Sequence, residues 1–544
     1  SFPLPPPIVL FTSAPSIPKV AMGCSASETP QADAPQNVHG SQLPLLLGRA
    51  KSSGHAVLVL DSKNDVQDIC RNLRTGGLRW KFHLNRPTSW TSSKITDRYA
   101  FDKEGALGAG AFGTVTRATR RVKTGTEYAI KTISKTSLKH PELLRNEVCI
   151  MKRMDHPNIV KLYETFDDSE AVYLVMELCK GANLLDNILG ARCFSEVQAA
   201  ICMKQAIRAV KYMHDNFVCH RDLKPDNLIF LKKAPISENV LKVIDFGMST
   251  TFKTGEAMHE KVGCPYCVAP QVLERNYDNA CDLWSCGVIM YMILAGCPPF
   301  VGESAAEAIR KVRKGQWSFD QRHWKKISED AKDLVRMLLK MNPGERFTAD
   351  KALNHVWIKE HAPRAEVVSL GSEFFDNLRK FKSMNKMQKT ALHIIARKLT
   401  DDRIKALRDT FMAFDTNQDG MLTISEIKDG LADNGIIDIP QDLQQLLMDM
   451  DSDGSGVIDY TEFLAATMKK EHMTQETYWQ AFATFDRDCD GVISNTEVKE
   501  VLNSGSLAGV ATESGIERIL LEADSNGDGA IDFEEFRKMM ATLE

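Results

Sequence analysis

Residues 220–227 read His220-Arg221-Asp222-Leu223-Lys224-Pro225-Asp226-Asn227, and farther on the chain reads Asp245-Phe246-Gly247. Moving a phosphoryl group onto a hydroxyl asks for a carboxylate to accept the hydroxyl proton, and for an Asn and an Asp to hold magnesium. Asp222, Asn227 and Asp245 offer those groups in that order. Upstream, Leu107 to Val115 reads L-G-A-G-A-F-G-T-V, a G-x-G-x-x-G loop built on Gly108, Gly110 and Gly113. Alone that loop is a weak signal. It gains weight from Ala129-Ile130-Lys131 on a strand-like segment, whose Lys would pair with nucleotide phosphates. Glu147, on a helical stretch after Pro141, is placed to hold Lys131. These elements in this order are not a chance arrangement, and they read as a phosphate-transfer site.

The chain has 544 residues, enough for roughly three or four folded units. Apolar residues make up 43% and charged residues 26%, so most of the chain can bury cores. With 68 Lys and Arg against 72 Asp and Glu the net charge is -4, far from that of a dedicated nucleic-acid binder, and no nucleic-acid partner is expected. The 13 cysteines are odd in number and scattered, with no C-x-x-C pair expected to bind zinc or act as a redox dithiol, and read as reduced thiols of a cytoplasmic chain. No apolar run approaches the roughly 18 to 20 residues that span a bilayer.

Composition divides the chain. Residues 1–21 carry Pro3, Pro5, Pro6, Pro7, Pro15 and Pro18 and are expected to be a leader. Met22-Gly23-Cys24 then fits a start site with N-myristoylation of Gly23 and palmitoylation of Cys24, which would give peripheral membrane contact. Residues 22–96, rich in Ser, Pro, Gly and Asn, are expected to form a flexible arm. From about 97 to 358 strand-like segments such as Glu127 to Ile133 and Val172 to Glu177 precede long helical patterns, giving a small β-rich lobe joined to a larger helical one. Over 359–402, Phe374, Leu378, Phe381, Met384, Met387, Ala391, Ile395 and Leu399 recur every three or four residues among many Lys and Arg, which predicts one basic amphipathic helix. That helix is either ordinary packing or the target of a partner domain.

Residues 403–544 contain four copies of one loop, at 415–426, 451–462, 486–497 and 524–535. Calcium wants six to eight oxygens, which a tight 12-residue loop supplies from alternate positions. Positions one, three and five are Asp415, Asn417 and Asp419, then Asp451, Asp453 and Ser455, then Asp486, Asp488 and Asp490, then Asp524, Asn526 and Asp528. Position seven gives a backbone carbonyl, from Met421, Val457, Val492 and Ala530, and Glu426, Glu462, Glu497 and Glu535 close each shell. The first loop has fewer ligand carboxylates than the second and is expected to bind most weakly.

On these motifs residues 99–358 resemble the eukaryotic protein kinases. The resemblance implies that Asp222 is the catalytic base, that Asn227 and Asp245 hold Mg2+, and that Lys131 clamps ATP. Lys224 is similar to the lysine that neutralises the transferring group in the serine/threonine branch. Nucleotide contacts fall on Leu107, Gly108, Gly110, Gly113, Val115, Ala129 and Glu147, with Met176, Glu177 and Cys179 at the adenine hinge. Four positions depart from the pattern: Gln271 stands for a Glu expected to pair with Arg346, so that at best a hydrogen bond replaces the ion pair, Cys264 stands for a Thr, and Asn183 and Asn187 replace acids that attract basic substrates.

With four calcium loops in the same chain, residues 99–544 resemble the calcium-dependent protein kinases of plants and protists, and Phe381 to Leu392 is similar to that family's junction. The implied fold class is α+β, a two-lobed kinase followed by an all-α calmodulin-like domain. The implied function is a monomeric Ser/Thr kinase using ATP, Mg2+ and Ca2+, inhibited by its own junction helix and released by its own EF-hands. A calcium-sensing scaffold and a kinase that needs separate calmodulin are the alternatives.

Overall fold

The strand-like segments form a five-stranded antiparallel sheet in the computed structural model, which describes residues 94–541 apart from 111–112, 122–125, 138–140, 192–193, 303, 321, 364–372, 435–439, 489 and 505–519. Residues 1–21, and Gly23 and Cys24 with the rest of the arm as far as residue 93, lie outside the described residues. The strands are β1 (Tyr99–Gly110), β2 (Gly113–Arg120), β3 (Glu127–Ser134), β4 (Leu162–Asp167) and β5 (Ala171–Glu177), in the order β1-β2-β3-β5-β4. Tyr99, Tyr128, Ile130, Phe166 and Val175 fill one face, with the rings of Tyr99 and Tyr128 edge to face at 5.4 Å. Ile95 belongs to the same cluster, so the folded lobe begins slightly before the boundary read at 97. On the other side lies helix α1 (Pro141–Arg153), which buries Leu144, Glu147, Val148, Ile150 and Met151.

The large lobe is helical, with α2 (Leu184–Ala191), α3 (Glu196–Asp215), α4 (Ala280–Ala295) and α5 (Glu329–Leu338). Ser195 starts α3 through a capping box with Gln198. Every residue of α4 from Cys281 to Ala295 is buried, which explains its apolar sequence without an amphipathic period. Near its start Asp282 accepts the backbone N–H groups of His220 (2.8 Å) and Arg221 (2.9 Å), and this fixes the loop that follows.

Past residue 372 the predicted single helix is two, α6 (Glu373–Ser383) and α7 (Lys386–Lys398). Asn385 breaks it, because its side chain caps α7 in a reciprocal pair with Gln388 that stabilises a new start. The loops are flanked by α8 (Asp401–Phe414), α9 (Ile424–Asp433), α10 (Leu443–Met450), α11 (Tyr460–Thr467), α12 (Gln475–Phe485), α13 (Asn495–Ser504) and α14 (Phe533–Ala541). Leu422 bridges Ile458, and Ile493 pairs with Ile531, so the eighth residues tie the loops into two pairs. Phe374, Leu378, Phe381, Met387, Leu392 and Ile395 of the junction share one core with Phe463, Phe482 and Phe536 of the sensor helices.

Candidate functional site

Between the lobes, strand register and helix placement bring the separated motifs together. Lys131 on β3 reaches Glu147 on α1 at 2.7 Å and Asp245 at 3.4 Å. Burial works against the Lys131 charge, but the two carboxylates outweigh it and hold the ammonium well above its ordinary range. Burial also pushes on Asp245, yet Lys131 and Lys224 hold that carboxyl down at about 2, ready to face a cation. Asp222 accepts from Lys224 Nζ at 2.7 Å, and Asn227 Nδ2 donates to the Asp222 carbonyl at 2.9 Å. Burial raises the Asp222 carboxyl above its usual range, with Lys224 opposing.

In the glycine-rich stretch Leu107 is half exposed, at 51%. Gly113 adopts φ +149°, and a Cβ there would stand 2.1 Å from the Thr132 carbonyl, so only glycine fits. Val115 lies opposite Lys131 in the β2–β3 pair, and Met176 lies opposite Ala129 in the β3–β5 pair, which sets both against the same face of the cleft. Glu177 pairs with Lys242 at 2.9 Å, and the Cys179 thiol is pushed up by burial. In this arrangement Lys131, Asn227 and Asp245 would hold ATP and Mg2+.

The calcium loops fit their ion by the chemistry of their donors. Carboxylate oxygens of Asp451, Asp453 and Glu462 lie within 4.8 Å of one another, as do those of Asp486, Asp488 and Glu497. Burial beside Asp453 and Asp451 pushes Glu462 up to about 8, and burial pushes Asp419 up to about 6. Such crowding is relieved by a divalent cation. In each loop the sixth-position N–H, from Gly420, Gly456, Gly491 and Gly529, binds Oδ2 of the first Asp. Asn417 Oδ1 accepts from the Asp419 N–H at 2.8 Å, as Asp453 does from Ser455, Asp488 from Asp490 and Asn526 from Asp528.

The protein kinase domain model matches residues 101–358, and the EF-hand domain pair model matches 404–468 and 478–541. Calcium-dependent protein kinase 3 of Plasmodium berghei is 40% identical over 454 residues, 82% of this chain and 81% of that protein. The chain belongs to the calcium-dependent protein kinases. Calcium-dependent protein kinase 14 of Arabidopsis thaliana is 39% identical over 458 residues, covering 83% of this chain and 85% of its own length. The enzyme is a calcium-activated Ser/Thr protein kinase that uses ATP and Mg2+ and carries Ca2+ sites.

Two features escaped the sequence reading. Arg221, at φ +65°, reaches Glu260 at 2.9 Å, so a carboxylate 39 residues along the kinase domain neutralises it. The signal in the sequence is the arginine itself, a cation next to Asp222 whose charge requires an anion. Cys264 and Cys267 do have C-x-x-C spacing, which corrects the reading that the chain holds no such pair, and neither thiol is in a disulfide. At the departures, Gln271 Oε1 accepts from Arg346 at 3.0 Å, so a hydrogen bond stands where a Glu would make an ion pair. Asn183 Oδ1 caps α2 by accepting the Asp186 N–H at 2.7 Å, so that side chain is engaged within the lobe.

Proposed function

We propose that the kinase phosphorylates its protein substrates when calcium draws the junction off the catalytic cleft and into the sensor core. Asp222 takes the proton from the acceptor hydroxyl, Lys224 steadies that carboxylate and neutralises the group in transfer, and Lys131 orients the phosphates under the tension of Glu147. Asn227 and Asp245 would hold magnesium, which would supply charge neutralisation. Basic amphipathic helices fit the apolar groove that sensor EF-hands open with calcium. The observation that carries this reading is the shared core: Phe381, Met387, Leu392 and Ile395 of the junction are fully enclosed by sensor helices, while Lys131 and Glu147 are paired.

In the same arrangement the sensor rests on the back of the kinase. Asp155, just past α1, accepts the Thr461 N–H at 2.7 Å. Glu164 on β4 gathers Arg98, Arg120 and Lys398 of α7. These contacts support a second contribution of the sensor, steadying the segment behind α1 and hence Glu147. The test is Leu392→Asp with Ile395→Asp in the full chain. Calcium should still bind but no longer raise peptide phosphorylation, whereas normal activation would sink the proposal.

The enzyme is further proposed to act as a monomer in the cytoplasm, with peripheral membrane attachment through myristate on Gly23 and palmitate on Cys24. One acyl chain gives only marginal binding, so both are needed. Mass spectrometry of the native N-terminus decides this, and residues upstream of Met22 in the mature protein would end it.

A further inference from the structure

The four calcium loops are not equivalent in their surroundings. A Cβ added at Gly456, Gly491 or Gly529 meets nothing within 4 Å, but one at Gly420 would stand 2.5 Å from His156 and 2.9 Å from Tyr212 of the kinase. Met421, the seventh residue of the first loop, packs against the kinase core. Most directly, Arg208 on α3 donates from Nη2 to Oδ2 of Asp415 at 2.7 Å, with side chains 3% and 0% exposed. Arg208 Nη2 also lies 3.5 Å from the Met412 carbonyl, and among the described residues its Nε has no hydrogen-bond partner, so Asp415 is its principal counter-charge there.

Oδ2 is the oxygen that also takes the Gly420 N–H, at 3.1 Å, while Oδ1 takes the Asp419 N–H, also at 3.1 Å. Asp415 therefore presents one oxygen to the kinase and the other to the ligand cradle. We infer that Arg208 is a resident positive charge of the first calcium site, which holds the docked sensor to the kinase and makes this loop the last to load.

The sign follows from charge. The first loop has three carboxylates at ligand positions, Asp415, Asp419 and Glu426, whereas each of the others has four, with Asp459, Asp490 and Asp532 completing the sets. A guanidinium on one of three carboxylates lowers their combined attraction for a divalent ion, and the repulsion is strong where water is excluded. Linkage makes the effect reciprocal: if docking weakens calcium at this loop, calcium there weakens docking by the same factor. The inference rests only on the docked arrangement and stands whether or not docking activates the enzyme.

The test is equilibrium dialysis of the full chain with radioactive calcium at fixed ionic strength, which needs no turnover. Wild type should hold three ions tightly and a fourth at least tenfold more weakly. Glu426→Gln should delete only the weak site. Arg208→Gln should tighten that site about tenfold, Arg208→Gln with Glu426→Gln should return to three, and Arg208→Lys should leave it weak. A Glu426→Gln chain that loses a tight site overturns the inference, using the native arginine and so independent of how well Arg208→Gln folds. So does an Arg208→Gln chain whose weak site is unchanged or weaker.

Discussion

Asp222 sits where one carboxylate must serve both Lys224 and an incoming hydroxyl. Asp222→Asn keeps the shape but cannot accept a proton, so phosphate transfer should fall by about 10²–10⁴ while nucleotide affinity is retained. Radiolabel incorporation beside nucleotide titration checks this. Lys131→Met should likewise abolish transfer without unfolding the chain, and normal turnover would assign the phosphates to another residue. Glu164 shows how a single buried charge can tie three segments together. Burial pushes its carboxyl up, but Arg120, Lys398 and Arg98 hold it down at about 2, against an ordinary value of 4.5. A depressed carboxyl contributes stability above its unfolded value and loses it as pH falls through the folded one. That contribution is of the order of 3 kcal/mol. Glu164→Gln should therefore lower the melting temperature at pH 7 and flatten its decline between about pH 4.5 and 2. An acid profile parallel to wild type would contradict the assignment.

Among the elements, the junction is where local pattern and final structure part. Its apolar spacing from Phe374 to Leu399 runs unbroken through the interruption, because α6 and α7 feed the same core and so keep the same periodicity on either side of Asn385. Asn385→Ala removes the cap and should cost about 1 kcal/mol, read as a lower melting temperature of the calcium-bound chain. No change would mean that packing alone starts α7. The catalytic and calcium motifs were legible because their chemistry is written in short runs: His220 to Asn227 is one loop, and each EF-hand loop spans twelve residues. Strands β3 and β5 were legible through their branched and aromatic residues, Tyr128, Ile130, Thr132 and Ile133 in one and Val172, Tyr173 and Val175 in the other. What the sequence could not disclose were pairings across long separations. Arg208 and Asp415 are 207 residues apart, Asp155 and Thr461 306, and neither member carries a local mark of its partner.

For the whole molecule, the kinase and sensor meet along the α3 face, the segment after α1, and β4, with the junction enclosed on the sensor side. A calcium switch requires the ion to favour that arrangement over the inhibited one by a few kcal/mol, up to about 5.5 for a complete reversal from 1:99 to 99:1. The four sites can supply this only if together they bind more tightly in that arrangement, with loops two to four outweighing the first, which the Arg208–Asp415 pair weakens there. Hydrogen exchange of backbone amides in the full chain, with calcium and with chelator, reads the two arrangements directly. With calcium, amides of 386–398 and 155–158 should exchange at least tenfold more slowly than with chelator, because α7 is then enclosed and Asp155 covered. Equal protection of 386–398 in both conditions, together with calcium-stimulated activity, would show that the junction does not move and would contradict the account.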